Sequence, residues 1–474
     1  MFENLPNLPL PFWISGLLIL AVATHFWNRR RTAYGFPALA VIGTVAVWYV
    51  GDALYNDYSL YQTVFLPETL ASAWWQVTLF LLAFVLLIPL VGSAMNRSFL
   101  TRGSSVVSLI SRNQIETAKF QTALTRFHWV LLFAWTCLMA LALVRVNFDF
   151  KGLFFPWMGY KREPWGRDRI GGGFDALLSL AQYFQIFLTA AFGVIAALSK
   201  NAKTRYTALL VCFLAMPYFI FDRTRNTMLA TVMPGVLAWI FIRLKGGLPV
   251  KAAVLICAFL VTEFWFGFVM ENRTNRSIAS AFAQRDDSSR RDHEHLGLNM
   301  FEELTWVNHF IEEGTYTPNW GQRYFAEAVN PIPRALWPNK PLIGIDYAIA
   351  RGQGGGRGSA AGVHATISTG MIGQGVVNFG RFFGPIAAAL LMAIWVAVLA
   401  RQDLLGHNEP ARLLLYGLGL ILTFNMGRDI TLLVLYPFLF GLILYLGWKR
   451  FFLHPSQEPQ RPQPTKLPPN TTPS

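Results

Sequence analysis

Apolar runs of about membrane-spanning length recur along this chain, near 11–27, 36–51, 74–95, 128–146, 174–198, 206–221, 226–242, 252–270, 383–400, 412–427 and 431–448. Runs of that length with so few charges read as transmembrane helices. The expected fold is therefore an all-α polytopic membrane protein with about eleven transmembrane helices. Composition agrees: 54% of the 474 residues are hydrophobic, 15% aromatic and only 14% charged, and the mean hydropathy is +0.38. That balance is far too apolar for a soluble enzyme.

The runs divide the chain into residues 1–270, expected to hold helices one to eight with short loops, a large outer loop over 271–382, helices nine to eleven over 383–450, and a tail over 451–474. The tail, rich in Pro, Gln and Thr, cannot bury enough apolar surface to fold, so a disordered segment is expected there. Arg29, Arg30 and Arg31 follow the first apolar run instead of preceding it, so no cleavable signal peptide is expected and the N-terminus falls outside. Alternate loops then gather the cations of the inner side, among them Arg97, Arg102, Arg112, Lys200, Lys203, Arg243, Arg401 and Lys449, as the positive-inside rule requires. The C-terminus is accordingly expected in the cytoplasm.

Cys137, Cys212 and Cys257 all lie in apolar runs, which leaves no disulfide framework. The net charge of +14 is mostly this inner collar facing anionic lipid, and it gives little ground for nucleic-acid binding. The basic, partly apolar stretch 96–126 reads as a segment lying along the membrane surface.

The large outer loop carries Asn330-Pro-Ile-Pro-Arg-Ala-Leu-Trp-Pro-Asn-Lys-Pro341. Its four prolines fix φ and restrict the residues before them, so Arg334, Trp337 and Lys340 are expected on a stiff, non-helical frame. Arginine can clamp a phosphate through two parallel hydrogen bonds, lysine adds a point charge, and tryptophan offers a flat face for a sugar ring. A loop folded for its own stability is the plainer alternative. Over 271–383, eleven Lys or Arg balance eleven Asp or Glu, so only local clustering can bind an anion. Other segments of the loop carry less. The glycine-rich 352–362 lacks the strand and helix start of a phosphate-binding loop. Asp286, Asp287, His293 and His295 lie in an alternating charge run that reads as solvated surface. The spacing of Phe301, Leu304, Val307 and Phe310 or Ile311 predicts a small amphipathic helix over 299–313, resting on the membrane domain.

Several outer loops break the charge rule. Lys151, Lys161, Arg162, Arg167 and Arg169 share one turn, Arg223 and Arg225 interrupt an apolar hairpin, and Arg428 precedes Asp429 in another. Either Arg223 and Arg428 pair with the neighbouring Asp222 and Asp429 and snorkel to water, or these hairpins and the loop assemble one cationic pocket. Transfer of a glycan from a lipid pyrophosphate suits such a pocket, because guanidinium groups can stabilise the departing pyrophosphate without a metal. A base for the acceptor hydroxyl is sought among His364, Glu263, Glu327 and Asp346.

The run Tyr316-Thr-Pro-Asn-Trp-Gly-Gln-Arg-Tyr-Phe-Ala-Glu-Ala-Val-Asn-Pro-Ile-Pro-Arg-Ala-Leu-Trp-Pro-Asn-Lys-Pro341, followed by Ser368-Thr-Gly-Met-Ile-Gly-Gln-Gly-Val-Val-Asn-Phe-Gly380, resembles the bacterial Wzy-type oligosaccharide repeat unit polymerases, also called O-antigen polymerases. One departure is Gln374, where an acidic residue is expected before the Asn-Phe-Gly element; a catalytic role there would move to His364 or Glu327. The resemblance implies an enzyme of the bacterial cytoplasmic (inner) membrane that joins undecaprenyl-pyrophosphate-linked repeat units into surface polysaccharide, O-antigen or exopolysaccharide. It assigns Arg223, Arg334, Lys340 and Arg428 to the pyrophosphates, and His364, a candidate base, completes the catalytic set. Arg225, Lys161, Arg162, Arg167, Arg169, Trp337 and Asn378 become substrate-binding residues. No metal and no cofactor are implied; the partners are the lipid-linked oligosaccharide, membrane lipid, and a chain-length regulator and flippase of the same pathway. A glycan ligase using the same donor is the nearer alternative. A flippase fits less well, since it would bring internal repeats and small outer loops.

Overall fold

The computed structural model describes residues 8–56, 58–95, 101–104, 117–154, 164–165, 175–221, 225–271, 299–352, 367–404 and 410–452. Among them every regular element is a helix, and the one extended contact is an isolated bridge between Thr32 and Gly103. Among the described residues six helices are long and apolar enough to cross a membrane: α1 (Leu10–Asn28), α2 (Gly35–Tyr55), α4 (Pro67–Met95), α5 (Ala118–Arg145), α7 (Asp175–Leu198) and α14 (Gly370–Leu404). Between and beyond them lie α3 (Tyr58–Val64), α6 (Phe150–Phe154), α8 (Ala202–Phe221), α9 (Arg225–Ile242) and α10 (Leu248–Glu271). The remaining helices are α11 (Met300–Glu312), α12 (Gln322–Val329), α13 (Ile345–Ala350), α15 (Pro410–Met426) and α16 (Leu432–Phe452). Each apolar run of the sequence falls on one of these helices.

Leu17, Leu20, Leu86, Leu90, Phe133, Phe213 and Ile443 face outward, a surface that water would not tolerate over so many turns and that hydrocarbon would. Inside, α14 packs along α4, and α7 packs along α9 with Gly193 against Gly235 at backbone contact distance. Small residues allow that approach, which gives dispersion contacts in place of a hydrophobic drive. Prolines inside α4, α8, α9, α14 and α16 are of the kind that membrane helices accommodate.

Two departures from regularity position the segment 299–352. α2 contains a π-helical turn, Ala46–Val50, and just after it the buried Asp52 turns toward α11. Its carboxylate accepts the backbone N–H groups of Phe301 at 2.7 Å and Glu302 at 3.1 Å. This caps the first turn of α11 from a different helix. α14 breaks at Gly380 (φ 77°, ψ −179°), a conformation essentially closed to other residues. Its first leg folds back so that Gly375 meets Gly384 at backbone contact, and the second leg alone continues as an apolar span.

α11 occupies the stretch where the spacing predicts an amphipathic helix. It sits deeper than a helix resting on a surface, with Phe301 stacked on Trp74 at 4.1 Å and Asn308 in a reciprocal amide pair with Gln76 at 2.7 and 2.9 Å. Glu312 closes its far end, accepting from Thr69 and pairing with Arg381 at 2.8 Å. α11 therefore ties the loop into the bundle between α4 and α14.

Candidate functional site

The first turn of α14 exposes four N–H groups that the helix itself cannot satisfy, and neighbouring segments take them up. Thr369 N–H donates to the Asp429 carboxylate at 3.2 Å, Gly370 N–H to the Arg428 carbonyl at 2.8 Å, and Met371 N–H to the Gly427 carbonyl at 3.1 Å. Ile372 N–H donates to the Tyr49 hydroxyl at 2.9 Å. Gln374 completes the junction by accepting Ile430 N–H at 2.7 Å. The turn 427–430 is thereby locked onto the helix N-terminus, and the positive end of the helix faces Asp429.

α12 docks against this junction. Tyr324 N–H donates to the Asn378 side chain at 3.3 Å, and Asn319 N–H to the Val377 carbonyl at 3.1 Å. The helix is inverted relative to one bathed in water: Arg323 and Glu327, one turn apart on the same face, are only 3% and 4% exposed, while Phe325 is 53% exposed. Arg323 Nη2 lies 3.7 Å from Asp429 and donates to the Ile367 carbonyl at 3.3 Å.

What this cluster leaves unused is its chemical character. Arg323 Nε and Nη1, Glu327 Oε2, the Tyr324 and Tyr436 hydroxyls and Gln374 Nε2 are all buried and, among the described residues, without a hydrogen-bond partner. Each such group costs about 1–3 kcal/mol, and native folds hold few of them. Their concentration around one guanidinium and two carboxylates makes this cluster the candidate functional site, with spare donors and acceptors for a polar ligand. Burial, reinforced by the charge of Asp429 and opposed by Arg323, pushes the Glu327 carboxyl up to about 8. Burial also raises Asp429 against the opposing pull of Arg323, the Ser368 hydroxyl and Thr369 N–H. Glu327 can thus exchange a proton near neutral pH.

The residues singled out from the sequence take varied positions. Lys340 is not presented to solvent: it is buried, and its ammonium donates at 2.8 Å to the carbonyls of Asn330 and Ile332, bracing the proline-rich turn from within. Burial and nearby Arg334 lower its pKa. Arg334 spends one donor on the Pro338 carbonyl at 3.0 Å and stays half-exposed, and Trp337 is half-buried edge-on against Phe325. Arg428 points outward beside the turn that its own carbonyl helps lock, and the neighbouring Asp429 faces Arg323. Asn378 holds α12 through Tyr324 and donates to the Gln374 carbonyl at 2.7 Å. Asp346 accepts from Tyr316 and Asn319, which ties it to the base of α12.

Arg223, His364, Lys161, Arg162, Arg167 and Arg169 lie outside the described residues, as do the side chains of Arg225 and Glu263. Asp286, Asp287, His293 and His295 lie outside them too. Among the described residues no three His, Cys, Asp or Glu side chains gather to hold a metal ion. Arg323, Tyr324 and Tyr436 are not among the residues that the sequence singles out; the available cue is the four-residue spacing of Arg323 and Glu327, which puts both charges on the face opposite Phe325. Comparison with protein-family models, with curated proteins and with solved structures returns no match.

Proposed function

We propose that this chain is a glycosyltransferase of the bacterial inner membrane that polymerises undecaprenyl-pyrophosphate-linked repeat units at the outer face. In this reading all eleven apolar runs cross the bilayer, with the N-terminus periplasmic, the C-terminus cytoplasmic and the large loop between the eighth and ninth spans. The single observation that carries it is the buried Arg323–Glu327–Asp429 cluster with its unused donors. The Wzy-like string over 316–341, which contains two of those three residues, points the same way.

The chemistry follows from what each group can do. The growing glycan sits on one carrier lipid and the next repeat unit on another. A hydroxyl of the second attacks the anomeric carbon of the first, and the bond from that carbon to the pyrophosphate oxygen breaks, its electron pair leaving with the lipid pyrophosphate. Glu327 accepts the hydroxyl proton. The spare Arg323 donors stabilise the charge that gathers on the pyrophosphate, and they act strongly because the site excludes water. Arg334 and Arg428, with exposed or half-exposed heads, guide the headgroups toward it. Lys340 and Asn378 hold the frame.

The test is a gel profile of surface polysaccharide from cells lacking the protein, with chromatography of their lipid-linked oligosaccharides. Loss of the long ladder while single repeat units still reach the final acceptor supports polymerisation. Long chains retained on the carrier lipid identify a ligase, and single units held at the cytoplasmic face identify a flippase; either outcome overturns the reading.

A further inference from the structure

The surface of the loop opposite the cluster has a character of its own. Phe325 projects from the outward face of α12, and Trp320, 75% exposed, is held at the end of the preceding turn with φ 53°. A non-glycine residue in the left-handed region is uncommon, and a bulky one more so. Leu336, 73% exposed, and Ile332 stand out from the adjoining proline-rich turn, which meets Phe325 through Trp337 at 6.4 Å.

This patch is continuous with the outward face of a span. Pro318 packs on Gly380 and Gly321 on the Phe379 ring, so the Trp320 turn lies against the break of α14. Immediately beyond the break, Phe382 and Phe383 are 61% and 60% exposed at the start of an apolar leg long enough to span. Tryptophan is enriched where a membrane protein meets the headgroup level, and segments lying in that boundary bury Trp, Phe and Leu into it. Arg334, half-exposed between Ile332 and Leu336, is placed to snorkel toward lipid phosphate.

From this continuity we infer that the Trp320 turn, the outer face of α12 and the Ile332–Leu336 segment form a lip seated in the outer boundary of the bilayer, with lipid as its occupant. The lip turns the inverted helix into a two-sided element, lipid on one face and the buried polar cluster on the other. This inference depends on the membrane character of the chain and not on the polymerase reading.

The test uses the full chain in lipid nanodiscs, with Cys137, Cys212 and Cys257 replaced by serine and an environment-sensitive fluorophore attached at Trp320→Cys. Phe382→Cys serves as the lipid reference and Asn339→Cys, at an exposed polar position, as the aqueous reference. The Trp320 label is expected to lose emission to lipids carrying a shallow nitroxide about as strongly as the Phe382 label, and to resist aqueous iodide. Quenching by iodide alone puts the turn in water and overturns the inference. Resistance to both quenchers means that protein covers the patch, which overturns it equally. Leu336→Cys repeats the measurement should Trp320→Cys fail to fold.

Discussion

The Arg323 guanidinium lies 3.7 Å from the Asp429 carboxylate, joining a helix of the loop to the turn between α15 and α16. Removing either partner leaves a buried charge uncompensated, which typically costs about 3–5 kcal/mol. Asp429 also keeps Thr369 and Ser368, so Arg323→Ala is expected near the lower end, read as a fall in melting temperature in detergent. Arg323→Lys keeps the charge but loses the planar fork. It should melt near the wild type yet lose roughly 100-fold in turnover, the scale of one missing charge-stabilising donor. Wild-type turnover in Arg323→Lys refutes its role.

Glu327 makes the reaction sensitive to pH. A carboxyl pushed up to about 8 is largely protonated below that pH, and only the ionised form accepts a proton. The rate should rise about tenfold per pH unit below 8 and level above it. Glu327→Gln should be slow and flat across the same range, as measured by repeat-unit incorporation.

The same group acts on stability with the opposite sign. The neutral carboxyl is buried without a charge penalty below its ordinary value of 4.5, and the penalty grows as pH rises through about 8. Melting temperature should therefore fall across that window in the wild type, and the contribution of this group should vanish in Glu327→Gln.

Asp52 caps α11 through two backbone N–H groups, a service worth about 0.5–2 kcal/mol when a cap is lost. Asp52→Ala should loosen the helix that ties the loop to the bundle. Limited proteolysis checks it: cleavage between 299 and 352 should accelerate while cleavage elsewhere does not.

Gly380 breaks α14 in a conformation that costs about 1–3 kcal/mol for other residues. Gly380→Ala is expected to lower melting temperature modestly and activity severely, since the first leg carries Asn378, which positions Tyr324 and hence Arg323. Unchanged turnover in this variant would show that the break does not position the site.

Much of the architecture was legible because apolar length and helical spacing are local properties: the runs fall on helices, and Phe301, Leu304 and Val307 locate α11. The site was less legible, since its residues act against the usual sense of charge. The rule that charged faces meet water hides Arg323 and Glu327, whose helix is turned inside out. Lys340 reads as a free cation because nothing in the sequence tells that its donors return to the Asn330 and Ile332 carbonyls. Asp52, just past the apolar run 36–51, is not singled out by the sequence, although a carboxylate is expensive there and its cap on α11 is what offsets that cost. The Arg428–Asp429 pair is adjacent in sequence, yet folding turns Asp429 to Arg323, a partner far away along the chain.

The most direct test of the central claim is polymerisation by the purified protein in liposomes supplied only with undecaprenyl-pyrophosphate-linked repeat units. The account predicts a ladder of lengthening chains, one lipid pyrophosphate released per linkage, and both slowed severely in folded Arg323→Lys and Glu327→Gln. A wild-type protein that makes no ladder, or variants that make a full one, would contradict it.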